Sequence, residues 1–161
     1  MSLTNLKQFL DDRQIKYILI SHSLAYTAQG IAALVHISGK ELAKSVIVKL
    51  DGQLAMAVVP ASCQVDLPKL KSAAGAKSVE LASEAEFKDW FVDCETGAMP
   101  PLGILYGMQV YADESLIQDK EIAFNAGTHR ELVKMAWEDF QKVAKPKMAK
   151  FAAGRVTQGA A

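Results

Sequence analysis

The stretch SVIVKLDGQLAMAVV, residues 45–59, decides the fold class. Residues 45–50 and 53–59 are rich in β-branched and other apolar side chains, and Asp51-Gly52 stands between them. An Asp-Gly pair tolerates positive φ at both central positions of a two-residue type I′ turn, so the two runs read as the antiparallel arms of a hairpin. Pro60, which has no N–H to give to a ladder, ends the second arm.

Upstream of the hairpin, Leu3, Leu6, Phe9 and Leu10 recur at helical spacing and predict a helix over residues 3–13. Residues 15–20 read as a strand. Residues 27–36 read as a second helix capped by Thr27, although Gly30 weakens it by roughly 1 kcal/mol relative to alanine. Downstream, residues 67–74 form a short helix stopped by Gly75, and residues 78–81 a short strand. Ser83 and Glu86 make a capping box that opens a helix over 84–91. Residues 92–103, VDCETGAMPPLG, are a loop by composition. Residues 104–106 and 109–111 are strand-like on either side of Gly107, and residues 121–124 form another strand. Thr128 and Glu131 read as a second capping box opening a helix over 129–143, which Pro146 ends. The expectation is one mixed α+β domain (α/β in the broad sense) over residues 1–151, with a flexible tail over 152–161 that includes the frayed GRVTQGAA.

Composition narrows the function classes. The 161 residues suit a single core, and half of them are hydrophobic. Lys+Arg and Asp+Glu both number 18, so a broad non-specific grip on nucleic acid is excluded while a local basic patch is not. No segment is long and apolar enough to span a bilayer, so no membrane partner is expected. MSLTNLKQFLDDRQ lacks the apolar run of a signal peptide, and Cys63 and Cys94 form no C-x-x-C pair. A cytoplasmic protein with reduced thiols is the expectation.

Standard catalytic sets are missing. His22, His36 and His129 have no ligand spacing, and the sequence holds no H-E-x-x-H, Walker A, G-x-G-x-x-G or G-x-S-x-G motif. No metal and no cofactor are expected. What stands out is a loop and a turn. In Gly97-Ala98-Met99-Pro100-Pro101-Leu102-Gly103 the prolines fix the chain and the glycines permit close approach, so the N–H groups of Ala98 and Met99 could face an anion or an oxyanion. In Asn125-Ala126-Gly127-Thr128-His129 a turn leads to an expected helix start. Free N–H groups there attract phosphate, and His129 in the first turn would stay neutral and could relay a proton. Lys44 precedes a strand, where it could pair with a phosphate. Read alone, each has an ordinary explanation: a rigid connection, a helix cap, a surface lysine. Lys142, Lys145, Lys147 and Lys150 could supply a basic patch or could simply complement a helix end.

Taken together and in order, Ser21-His22-Ser23 with Tyr26-Thr27-Ala28, then Gly39-Lys40-Glu41-Leu42-Ala43-Lys44-Ser45-Val46-Ile47-Val48, then residues 97–103, then Phe124-Asn125-Ala126-Gly127-Thr128-His129, resemble the YbaK/prolyl-tRNA-editing domain family over nearly the whole chain. The resemblance implies a barrel-like, largely antiparallel mixed sheet flanked by helices. It also implies an activity: metal-independent hydrolysis of the ester in mischarged aminoacyl-tRNA, with alanine or cysteine on proline tRNA as the expected substrates. The acceptor end of aminoacyl-tRNA, and prolyl-tRNA synthetase, are the implied partners. The family's lysine falls on Lys44 and its G-x-x-x-P loop on Gly97 to Pro101. Catalytic roles are thus expected for Lys44, Gly97, Ala98, Met99, Pro101 and His129. Substrate contacts are expected for His22, Thr27, Pro100 and Leu102, and for Gly103, Asn125, Gly127 and Thr128. Two other readings stay open: a non-catalytic module that binds tRNA ends or a nucleotide on the same fold, and a hydrolase of some other activated ester or thioester. Oligomeric state is not legible.

Overall fold

The computed structural model describes residues 3–21, 42–118 and 120–155. In chain order these are α1 (Leu3–Asp12), β1 (Tyr17–Ser21), β2 (Ala43–Leu50), β3 (Gln53–Pro60), β4 (Cys63–Val65), α2 (Leu67–Ala74), β5 (Val79–Leu81) and α3 (Glu84–Phe87). There follow β6 (Gln109–Asp113), β7 (Glu121–Asn125), β8 (Glu131–Ala136), α4 (Trp137–Ala144), β9 (Lys147–Ala149) and β10 (Ala152–Arg155).

The hairpin forms as its turn chemistry requires. Asp51 and Gly52 have φ of 50° and 84°, and β2 pairs with β3 from Ala43↔Pro60 to Leu50↔Gln53. This hairpin is the middle of a five-stranded sheet in the order β5-β2-β3-β6-β9, antiparallel across β5, β2 and β3 and parallel across β3, β6 and β9. A three-stranded antiparallel sheet, β1-β8-β7, lies beside it, and β10 pairs with β4. β2 forks. Val48 to Leu50 pair with β5, whereas at its other end Leu42 makes a parallel bridge to Ala123 of β7. That bridge brings the two larger sheets together and gives the barrel-like wrap of a mixed α+β fold.

Strand alternation divides the apolar side chains between two cores. Ala43, Ile47, Met56, Val58, Val110 and Ala112 face the larger one with Phe124, Val133, Phe140 and, from α1, Leu6 and Leu10. Val48, Ala55, Ala57, Val59 and Tyr111 face the smaller one with Leu70 of α2 and Phe151. Complete burial of a leucine or phenylalanine contributes about 1.5–3 kcal/mol, so these two layers carry most of the fold's stability.

Four expectations are corrected. Residues 131–136 are not helical: β8 sits between β1 and β7, and the helix begins only at Trp137. Leu132, Val133, Met135, Trp137 and Phe140 fit helical spacing, but two waiting strand edges outweigh it. Residues 104–106 are not a strand. Leu105 and Tyr106 donate to the carbonyls of Leu102 and Gly103, closing a 3-10 turn over Gly103–Leu105. The helix over 84–91 is one capped turn, α3, continued by a 3-10 turn over Lys88–Trp90. Residues 152–155, expected within the tail, form β10, paired with β4 and held by N–H groups that reach Asp113. The expected helix over 27–36 lies outside the described residues.

Candidate functional site

The loop over residues 97–103 is anchored inward. Ala98 and Leu102 are fully buried and Met99 nearly so, with Met99 and Leu102 in the larger core. Gly97 holds φ at 85°. Gly103 has no room for a side chain, because a Cβ there would lie 2.3 Å from the Met108 carbonyl oxygen. Pro100 and Pro101 are buried and bring no N–H, so Met99 is the last donor before Leu102. The Ala98 N–H, expected to face an anion, donates to the Glu95 carbonyl at 3.0 Å. The Met99 N–H has no acceptor among the described residues.

The turn over residues 125–129 is welded to this loop. Gly127 N–H donates to the Ala98 carbonyl at 2.9 Å, and Glu95 N–H donates to the Gly127 carbonyl at 2.8 Å. The Glu95 carboxylate accepts the His129 N–H at 2.6 Å, and His129 Nε2 meets the Thr96 carbonyl at 2.7 Å. A carbonyl only accepts, so Nε2 carries a proton. His129 is 4% exposed and lies between β7 and β8, not in the first turn of a helix. Three of the expected phosphate-binding N–H groups are already engaged: Ala126 donates to the Glu131 carbonyl, Gly127 to Ala98 and His129 to Glu95, while the Thr128 N–H has no acceptor among the described residues. Thr128 does pair with Glu131, its hydroxyl donating at 3.1 Å, but the pair closes a turn into β8.

Lys44 lies within β2, opposite Val59. It leaves the strand on the face away from Ala43 and Ile47, on the side of Val48 and Val59. It is half-buried, and that desolvation lowers its pKa below the usual lysine value, opposed by the nearby Cys63 thiol. Among the described residues no carboxylate pairs with it, and no hydrogen bond joins it to the loop. Asn125 stands two residues past the Leu42–Ala123 bridge, as Lys44 does, and on the face opposite Phe124. Its Oδ1 is buried without a hydrogen-bond partner among the described residues, as is Ser45 Oγ on the other face of β2. Unsatisfied buried polar atoms are rare and mark places where a ligand can complete the bonding.

The structure thus brings Gly97, Ala98, Met99, Pro100, Pro101, Leu102 and Gly103 into one unit with Gly127, Thr128 and His129, and sets Lys44 and Asn125 at the β2–β7 seam. His22 and Thr27 lie outside the described residues. Glu95 was missed by sequence reading; a carboxylate that reaches a turn 34 residues on leaves no local signal. Among the described residues no three His, Cys, Asp or Glu side chains gather into a metal-binding group, and no helix is long and apolar enough to cross a membrane. Gly97→Ala is expected to cost about 1–2 kcal/mol in urea unfolding, because alanine at positive φ is strained. It is also expected to slow turnover roughly tenfold, because the strain falls on the Met99 N–H direction.

The comparisons agree with this architecture. A family model described as an aminoacyl-tRNA editing domain matches residues 22–143. The multifunctional Ser/Thr-tRNA deacylase ProXp-y of Escherichia coli strain K12 is 34% identical over 114 residues, 68% of each chain. A proline–tRNA ligase of Bacillus mycoides is 31% identical over 86 residues, 53% of this chain; the match spans only 15% of the ligase. Two solved structures share the fold at low identity. The hypothetical protein APE2540 has a TM-score of 0.83 at 20% identity, covering 92% of this chain and 99% of that one. A proposed trans-editing enzyme for prolyl tRNA synthetase has a TM-score of 0.80 at 21% identity, covering 94% and 97%. With a loop stitched to a turn by backbone bonds, and a family model that spans most of the sequence, this chain belongs to the aminoacyl-tRNA editing domain family.

Proposed function

We propose that this chain is a trans-editing deacylase of the cytoplasm, a single editing domain that hydrolyses the ester between a wrongly attached small amino acid and tRNA. The observation that carries it is the welded loop, a rigid and largely buried segment in which the Met99 N–H has no acceptor among the described residues. An aminoacyl ester is already activated, so orienting a water and stabilising the oxyanion suffice. Water adds to the ester carbonyl, the Met99 N–H holds the oxygen as charge develops, the bond from the carbonyl carbon to the ribose oxygen breaks, and a proton from the attacking water passes to that oxygen, leaving the free amino acid and a ribose hydroxyl. Glu95 and His129 act as positioning residues, since each fixes the loop. Lys44 takes a phosphate of the terminal nucleotide as a point charge, and Asn125 Oδ1, an acceptor, takes a hydroxyl of the terminal ribose.

Selectivity rests on pocket size, where one methylene is worth only about 1–3 kcal/mol. We propose alanine or cysteine on proline tRNA as substrates. Serine and threonine are a second reading, favoured by the name of the Escherichia coli relative. The test is a deacylation panel of alanine, cysteine, serine and threonine on proline tRNA and on their own tRNAs. Turnover of at least one small amino acid is the expected result. Binding across the panel with no hydrolysis would replace the enzyme by a tRNA-end-binding module. Turnover of small esters with no gain from the tRNA body would point to another ester or thioester. Prolyl-tRNA synthetase is the proposed protein partner.

A further inference from the structure

The four C-terminal lysines do not form one patch. Lys147 stands over the Tyr111 ring, 5.8 Å from its centroid, and Lys150 lines a hollow with Lys69. Lys142 and Lys145 instead meet Arg13 across a cleft of about 410 Å³ between the ends of α1 and α4. Both helices end in left-handed residues, Gln14 at φ 57° and Lys145 at φ 46°, and these turns bring the two ends to the cleft.

The charge in this cleft is not neutralised. Asp139 is its one carboxylate. Asp12 accepts from Gln8 at 2.6 Å, and neither Asp11 nor Asp12 lines the cleft. Among the described residues no ion pair ties Arg13, Lys142 or Lys145 to a carboxylate. Arg13 is also fixed in place. Its guanidinium lies 3.7 Å from the centroid of the Phe9 ring and donates to the Phe9 carbonyl at 3.2 Å, so little freedom is lost when it meets an anion. In a chain of zero formal net charge, three exposed cations against one carboxylate make a local anion-binding surface.

Its position matters as much as its sign. Ile104, half exposed, lines the cleft and sits in the 3-10 turn that continues the loop over residues 97–103. The cleft therefore begins where the site loop ends. The geometry points to a docking surface for the sugar-phosphate backbone of the tRNA acceptor stem, whose end then reaches the loop; this rests on the deacylase reading. Duplex RNA is gripped through its phosphates and shape, so such a surface supplies affinity without choosing the sequence.

The test compares two variants of the full chain with the wild type in binding uncharged tRNA across a salt series. Arg13→Gln/Lys142→Gln/Lys145→Gly removes the three cations, and glycine suits the left-handed position. It is expected to bind about 100-fold more weakly at low salt, with the slope of log affinity against log salt shallower by about 2–3. Its turnover of an aminoacyl ester of adenosine alone is expected to stay at the wild-type value, and its thermal midpoint to fall by no more than about 4 °C through the lost Arg13–Phe9 contact. Lys69→Gln/Lys150→Gln, in the other hollow, is expected to bind within about twofold of wild type. Wild-type affinity and slope in the triple variant, or an equal loss in the Lys69/Lys150 variant, would overturn the proposal. The two readings fail separately. A chain that deacylates nothing but loses tRNA through the triple variant keeps the docking surface, while active deacylation with undiminished tRNA binding removes the docking surface alone.

Discussion

Lys44→Ala is expected to fold and to lose about 10- to 100-fold in kcat/KM on a mischarged tRNA. A charge-assisted contact to a phosphate is worth about 1.5–3 kcal/mol, and 1.4 kcal/mol is a factor of ten in rate. Stability is expected to hold or rise, because the ammonium is half-buried and has no carboxylate partner among the described residues. The sign follows from burial. The folded pKa lies below the unfolded value, so the charged form is disfavoured in the folded state at neutral pH, and stability recovers as pH rises through the lowered pKa toward the unfolded one. Single-turnover deacylation and a thermal melt of the same sample check both halves. Full activity in the variant would remove Lys44 from the mechanism.

Asp113→Ala is expected to cost about 3–4 kcal/mol in unfolding free energy, which for a chain of this size lowers the midpoint by roughly 10 °C. Asp113 is 5% exposed, and its Oδ1 accepts the N–H groups of Phe151 and Ala152, both at 2.8 Å. Its Oδ2 accepts the N–H and hydroxyl of Ser115. The alanine variant leaves the Phe151 N–H buried without an acceptor and releases β10. Asp113→Asn keeps the Oδ1 acceptor and should lose only about 1 kcal/mol. Burial pushes the Asp113 carboxyl up, but the four hydrogen bonds outweigh it and hold the pKa below the usual aspartate value. The stability this contributes is present above the unfolded pKa near 3.8 and is lost as pH falls through the lower folded value. Urea midpoints that stay flat down to about pH 4 in wild type and fall below it, with a smaller fall in the alanine variant, are the expected pattern, since Glu86, held low by Lys49, still contributes to both.

Features set by neighbours in sequence were legible. Asp51-Gly52 announced its hairpin, Gly75 its helix stop and Ser83 with Glu86 its capping box, because each acts within four residues. β8 was read as helix because its apolar residues satisfy both periods, and what decides is a partner far back in the chain, with Tyr17 opposite Met135. β4, β9 and β10 are only three or four residues long, too short for alternation to register. In the site, the residues of the loop were found, but their bonding was not. Ala98 gives its N–H to Glu95 and His129 is held by Glu95 and Thr96, and such pairings depend on a fold that no local pattern encodes.

The single bridge from Leu42 to Ala123 has a consequence for how this site can change. Lys44 rides on the five-stranded sheet, while the welded loop is tied to the turn between β7 and β8 of the other. Among the described residues no longer ladder fixes the span between them; the interleaved side chains of Ala43, Ile47, Val58, Phe124 and Val133 do. The reach from phosphate anchor to ester cradle is therefore a volume property of the interior. Adding or deleting a methyl group at Ile47 or Val58 would widen or narrow it while every residue that meets the substrate stays the same, a route by which related chains could drift from one cargo to another through their cores alone.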